Sequence, residues 1–568
     1  MVTTVQQPTL QNNEGNPLVP TSEVLLLSAD EKLSSTVAEE INLSGLSFAH
    51  KIIPPNTLTS SEVSSGSIVV YLPSLRREAP MLPDFSEAEA TCRLLSEKSL
   101  GLCILVSSAA IYGASFRNPG LMQECCPLPK AKQRSPFQWL QLERLAQKYW
   151  DRSYNLVILR CATVLSRGCA NLLARQFATG IATAAVGHDP SVQLLSPTDL
   201  GHAIACVLQS GARGIFNVAP DEPIPLKEAL RQAGVRRIPL PRTLLRSASA
   251  IRRTGFGDQL DFKRYSWTVS SENLTKIGFR PRKSSLEAVL EFRNGAGTAD
   301  HAPDSHFDKF GMDKNYIRFY GRTLFRFLCD YYWRIEHKGL ENVPREGRAV
   351  LVGMHRGFMP FDGVMALHLL VQKTGRYPRF LVHPGLLKFP FLSNFMTKLG
   401  GVVASQKNAD RILEEDELLG IFPEGIQGAF TIYRQAYQLQ EFGRDAFVKI
   451  ALRNRAPIVP FVTVGSAEIF PIFGKIESRL WSRYTEWPSL PITATFPLLP
   501  VPLPSKWHTE FLPPIHIENE YPPEAERDPS VVKAISLEVR SRMQKAVNEM
   551  LVRRRSIFFG SIFEPEAG

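Results

Sequence analysis

Two side chains within one short stretch are equipped for proton transfer. In His355-Arg356-Gly357-Phe358-Met359-Pro360-Phe361-Asp362 a histidine and a carboxylate stand seven positions apart, just after the apolar run Ala349–Met354. A neutral imidazole takes a proton from a hydroxyl, and a carboxylate on its other nitrogen fixes the tautomer and stabilises the imidazolium. On one straight helix such a pair shares a face but lies about 10 Å apart along the axis, too far for a hydrogen bond. The spacing therefore predicts His355 in a loop that folds back, with Pro360 near a helix start and Asp362 in its first turn. One histidine among eleven is ordinary by itself. Three later segments give it company: the glycine-led Leu399-Gly400-Gly401-Val402-Val403-Ala404-Ser405-Gln406, the tetrapeptide Phe422-Pro423-Glu424-Gly425, and Ala456-Pro457-Ile458-Val459-Pro460.

Taken in order, the four segments resemble the motifs of the glycerolipid and lysophospholipid acyltransferase family, over about Asn315 to Gly560. The resemblance implies that His355 is the general base and Asp362 its orienting partner. It places Glu424 and Gly425 at the acceptor pocket and Pro460 on the acyl-donor side. Gly401, Gln406, Phe422, Pro423 and Gln427 join the substrate site on the same ground. The implied reaction moves an acyl group from an acyl-CoA or acyl carrier protein thioester to a lipid hydroxyl, without a covalent enzyme intermediate or a metal.

Three departures bear on the acceptor. Six residues separate His355 from Asp362 where the family usually has four, a longer form that marks a subgroup. Gln406 and Gln427 stand where the family carries arginines that grip the acceptor's phosphate, a task suited to a guanidinium. Lys407, Arg411, Arg434 and Arg444 are replacement cations or solvated surface charges. The leading expectation is a lysophosphatidic acid-type acceptor. A neutral acceptor (monoacylglycerol, diacylglycerol or long-chain alcohol) is the alternative, and a non-catalytic lipid-surface scaffold is a third reading.

The elements that must position these residues follow from patterning. After the helix-like segment Asn315–Glu336 and the strand Ala349–Met354, the chain continues as an α/β mixture and closes on a helical stretch, Ser530–Arg555. Before it, the strand-like runs Glu23–Leu27, Ser67–Leu72, Leu102–Ser107 and Leu156–Arg160 alternate with the amphipathic stretches Ser86–Lys98 and Pro136–Trp150. That is the rhythm of a doubly wound, Rossmann-like parallel sheet. The run Val106–Gly113, Leu159-Arg160, Ser196–Asp199 and Gly214–Ala219 resemble motifs of the extended short-chain dehydrogenase and epimerase family over roughly 23–293. Its chemistry is missing. The first strand runs into Ser28-Ala29-Asp30-Glu31 with no glycine to admit a pyrophosphate, and Phe137 and Gln141 hold the places of the family's tyrosine and lysine. NAD(P) is therefore not expected, and an epimerase or reductase activity is the weaker alternative.

The organisation expected is a flexible tail at 1–22, a degenerate dinucleotide-binding domain at 23–293, a linker at 294–314 and an acyltransferase domain at 315–568. A net charge of +11 favours an anionic partner, but no nucleic-acid module accompanies it. Seven of the eight cysteines fall in the first half without a CxxC pair, which fits free thiols in a reducing compartment. No signal peptide or spanning helix is expected. Any membrane contact is then peripheral, and the protein is expected in the cytoplasm against a membrane surface. Arg318, Arg322 and Arg326 recur every fourth residue beside Phe319, Phe327 and Tyr331, as suits a helix lying among anionic headgroups.

Overall fold

The computed structural model describes residues 23–46, 48–76, 82–129, 134–150, 155–168, 171–241, 243–245, 259–295, 306–443, 445–494, 496 and 501–563. The expected tail, residues 296–305 of the expected linker, Cys169 and Arg444 lie outside the described residues. The chain divides into two compact units, Met1–Gly311 and Met312–Gly568.

In the first unit six parallel strands form one sheet: β1 (Val24–Leu27), β2 (His50–Ile53), β3 (Ile68–Tyr71), β4 (Leu102–Ser108), β5 (Leu156–Cys161) and β6 (Gly214–Val218). Their order is β6-β5-β4-β3-β1-β2, with the chain reversing direction across the sheet between β1 and β3. Strands buried on both faces read as continuous apolar runs, and Val24–Leu27 and Ile68–Tyr71 are buried throughout. The expected helices appear as Phe85–Ser96 and Arg134–Trp150.

The second unit is built on seven strands: β7 (Glu336–Lys338), β8 (Ala349–Gly353), β9 (Arg379–Val382), β10 (Gly401–Val403), β11 (Leu418–Ile421), β12 (Ile458–Val464) and, after an excursion containing β13 (Ile472–Ile476) and β14 (Leu490–Thr493), β15 (His508–Phe511). The order is β7-β15-β12-β8-β11-β9-β10, antiparallel only where β12 meets β15. β8 lies at the centre, and the chain moves outward from it to either side. Crevices at the carboxyl ends of such switch points are where α/β sheets place ligands. The closing helix runs Pro529–Arg553.

Two expectations change. The segment Asn315–Glu336 is not one helix. A helix Lys314–Arg322 ends at Thr323, whose ψ of −96 breaks the register; a short turn Leu324–Phe327 and a wider π-helical turn Leu328–Tyr332 follow, and Glu336 opens β7. Burial explains the break, because re-aiming the chain lets Phe325, Leu328 and Trp333 all enter the core. The expected linker also extends too far: Met312 is buried in the second unit's core and Asp313 caps the helix that follows it. Among the described residues no helix is long and apolar enough to cross a membrane.

Candidate active site

His355 follows β8 in a loop, and Asp362 stands in the first turn of the helix Phe361–Thr374. The chain folds back between them, so that His355 Nδ1 lies 2.8 Å from Asp362 Oδ2. Asp362 Oδ2 also accepts the Arg356 backbone N–H at 2.9 Å, and Oδ1 accepts the Gly363 N–H at 2.8 Å. The carboxylate is buried with every neighbour a donor, and a first-turn position adds the favourable end of the helix dipole. It cannot turn away from the imidazole without stranding an N–H. With Nδ1 so engaged, Nε2 is the nitrogen left for a substrate.

The imidazole rests on Phe422, with ring centroids 4.9 Å apart. Phe422 in turn stacks on Phe380 at 5.7 Å. Gly353 makes this possible: a Cβ there would lie 2.6 Å from the Phe422 ring and 2.4 Å from Phe461.

His355 lines a cavity of about 510 Å³ between the carboxyl ends of the strands and the helices around them. Its walls are largely apolar, with Phe358, Leu367, Met396, Phe430, Phe447 and Trp487 among them. Of the residues expected at the substrate site, Gly401, Gln406, Phe422, Pro423 and Gly425 line the cavity. Glu424, Gln427 and Pro460 do not.

The surroundings of those three residues differ. Glu424 is buried with its carboxylate held by Arg356, at 2.7 Å from Nη1 and 2.9 Å from Nη2, and by the Gln440 N–H at 2.7 Å. A carboxylate so saturated ties the Pro-Glu-Gly turn to the histidine loop. Gln427 is exposed on the short helix Gly425–Ala429 and is not among the lining residues. Pro460 sits inside β12, paired with Val352, where the sheet covers it.

Arg356 is the residue that sequence reasoning missed. Its guanidinium, 1% exposed, reaches Glu424, the carbonyls of His355 and Gln438, and that of Ala436. It ties the histidine loop to the Pro-Glu-Gly turn and to the strap 436–440. A cation beside the histidine in one motif and a carboxylate in another were both in plain view, and their complementarity was the available signal. Lys449, also on the cavity wall, had none. Lys407, Arg411 and Arg434 are not among the lining residues. Gln406 lies beside Arg453, which is already engaged by Asp410 and Glu526.

The residues 334–464 match the family model described as Acyltransferase. An uncharacterized protein of Mycobacterium tuberculosis is 37% identical over 284 residues, 48% of this chain and 76% of that protein. Residues 334–464 form an acyltransferase-family domain. Phytyl ester synthase 2, chloroplastic, of Arabidopsis thaliana is 31% identical over 142 residues, 24% of this chain and 20% of that one. Among solved structures, human epimerase family protein SDR39U1 with NADPH covers 48% of this chain and 99% of its own at 16% identity and a TM-score of 0.39. DesIV, a dTDP-glucose 4,6-dehydratase from Streptomyces venezuelae, covers 48% and 95% at 13% identity and a TM-score of 0.37.

In the Rossmann-like unit the turn after β1 is tied up by the chain's own contacts. Asp30 caps the helix Glu31–Leu43, accepting the Leu33 N–H on Oδ1 at 3.0 Å and the Ser166 hydroxyl on Oδ2 at 2.7 Å. Gly168 packs so close that a Cβ on it would lie 2.3 Å from Oδ1. A carboxylate occupying the helix N-terminus takes the donors that a pyrophosphate would need. Beyond the ends of β4 and β5 lies a small apolar cavity of about 140 Å³. Lys263 on its wall donates to Thr183 Oγ1 at 2.6 Å, and burial pushes its ammonium down to about 8.

Proposed function

We propose that the second unit is an O-acyltransferase that moves a fatty acyl group from an acyl thioester to a lipid hydroxyl, working at a membrane surface. The observation that carries the reading is the 2.8 Å contact between His355 and a buried Asp362 on the wall of an apolar cavity large enough for an acyl chain. The hydroxyl oxygen attacks the thioester carbonyl as His355 Nε2 takes its proton. Asp362 stabilises the imidazolium that forms. Collapse of the tetrahedral adduct breaks the C–S bond, and the proton passes from Nε2 to the departing thiolate. The ester and a free thiol leave, and no bond to the enzyme is made.

For the acceptor, a neutral lipid is placed ahead of lysophosphatidic acid, although Lys449 stands as the single lysine or arginine among the cavity-lining residues. Arg453 beside Gln406 is already neutralised by Asp410 and Glu526, and Gln427 lies off the cavity. The plant relative's name, a phytyl ester synthase, supports a long-chain alcohol among the neutral acceptors. Membrane association is supported by Phe319, Phe327 and Tyr331, exposed beside Arg318, Arg322 and Arg326.

Incubating the full chain with labelled acyl-CoA and, separately, lysophosphatidic acid, a monoacylglycerol and a long-chain alcohol tests this. Product that vanishes in His355→Ala supports the acyltransferase, and the preferred acceptor decides the headgroup. No product with either acyl-CoA or acyl carrier protein donors would leave the scaffold reading in its place. The first unit is proposed to take no nicotinamide; heat evolved on titrating NADH or NADPH into the full chain would refute that.

A further inference from the structure

Between β12 and β15 the chain leaves the sheet. β13 and β14 pair as an antiparallel hairpin whose connection holds the helix Arg479–Thr485. On the inner side of this excursion Trp487 forms part of the cavity wall, with ring centroids 5.4 Å from Phe358 and 5.9 Å from Phe430. Its outer side carries Phe473, Leu480 and Tyr484, exposed by 64%, 81% and 67%. Leu480 and Tyr484 are four apart and share one face of the helix.

A second segment continues the patch. Lys388 donates to the Tyr484 carbonyl and holds its ammonium 5.3 Å from that ring, and Phe389 lies 5.4 Å from Trp487. Two residues on, Phe391 is 67% exposed at φ +62. That backbone region is costly for a large side chain, by about 1–3 kcal/mol, and here the strain holds a phenyl ring out into solvent. Large apolar side chains gathered on one patch mark an interaction site. The charges around them choose the partner: Lys388, Lys475, Arg479 and Arg483 outnumber Glu477 and Glu486. Aromatic and leucine side chains framed by such an excess suit an anionic bilayer, with the rings among the acyl chains and the cations at the headgroups.

We propose that the excursion 472–493, together with Phe391, docks on an anionic lipid surface beside the mouth of the His355 cavity. A lipid then enters without crossing water, because Trp487 is at once the excursion's inner side and the cavity's wall. The purpose of docking rests on the acyltransferase reading; the docking itself does not.

The test is co-sedimentation of the full chain with phosphatidylcholine vesicles, with and without phosphatidylglycerol. Turnover of a water-soluble short-chain donor and alcohol is read in parallel. Leu480→Asp/Tyr484→Asp and Arg479→Glu/Arg483→Glu are each expected to lose at least about tenfold in binding to the anionic vesicles while keeping short-chain turnover. Leu480→Ala/Tyr484→Ala replaces the aspartate pair if that variant's unfolding midpoint falls. Failure of the unaltered chain to bind vesicles overturns the proposal. So does undiminished binding by the excursion variants, above all if Phe319→Asp/Phe327→Asp abolishes it. Vesicle binding without any short-chain turnover would sink the acyltransferase reading and leave the docking surface standing.

Discussion

Asp362 is held by three donors, and this makes its replacement by asparagine informative. Either orientation of the amide sets its NH2 against a backbone N–H, that of Arg356 or that of Gly363. The orientation that spares Gly363 also turns an N–H toward His355 Nδ1, which then accepts and leaves Nε2 protonated. Asp362→Asn should therefore lower kcat by about 10²–10⁴-fold, the size of a wrong-tautomer effect, with a smaller change in KM. Steady-state kinetics with the preferred acceptor measures it; an unchanged kcat would remove the proton-transfer role. Arg356 and Glu424 give a different signature. Both side chains are essentially fully buried, at 1% and 0% exposure, so Glu424→Gln leaves a guanidinium without its counter-charge. A cost of about 3–5 kcal/mol in the unfolding free energy of this unit follows from stranding one buried ion. Denaturant unfolding checks it, and a loss of activity at undiminished stability would instead return Glu424 to the substrate site.

At the scale of elements, β15 contributes a pH dependence. His508 opens that strand with its side chain buried, and burial pushes its imidazole down to about 4, against the opposing pull of Glu336 at 3.5 Å. The unfolded chain, with an ordinary histidine near 6.5, binds this proton first. Stability is therefore fully present above pH 6.5, falls as the pH drops toward 4, and loses no more to this group below that. The loss reaches up to about 3 kcal/mol. Unfolding midpoints between pH 7 and 4 should show the slope, and His508→Gln should flatten it; an equal slope in the variant would assign it to other groups.

His508 lies in a strand that no pattern announced, and the same contrast runs through the chain. Strands with a continuous apolar run, such as Val24–Leu27 and Ala349–Gly353, were legible because burial on both faces demands that composition. The fold-back at Pro360 was legible because one helix could not bring His355 to Asp362. The break at Thr323 was not, since it answers to the core that Phe325 and Trp333 enter. The pairing of Glu424 with Arg356 was hidden for the same reason: the motif gave its position, and only the packing gave its partner. In the first unit, family-like residues persist as a buried network. Arg160 pairs with Glu143 at 2.8 Å and donates to the Tyr112 hydroxyl at 3.0 Å, while Ser107 donates to Glu143 at 2.7 Å. A motif can outlive its chemistry when its side chains hold a core together.

At the scale of the molecule, each unit has its own sheet and its own apolar core, and among the described residues no strand of one pairs in the other's sheet. A unit with a complete sheet and a closed core has what independent folding requires. The residues of the proposed acyl transfer, His355, Asp362, Arg356 and Glu424, all belong to the second. Calorimetry of the full chain should then resolve two unfolding transitions, and Glu424→Gln should lower only one of them. A fragment spanning 312–568 should fold and turn over a water-soluble short-chain donor and alcohol at a rate within about threefold of the full chain. Its rate on vesicle-borne acceptor is the separating measurement. An equal rate there gives the first unit no part in lipid delivery. A selective loss on vesicles, with soluble turnover kept, means that the Rossmann-like unit acts in presenting the second unit to a lipid surface. A single transition, or a fragment that does not fold, would show instead that the second core is incomplete without the first.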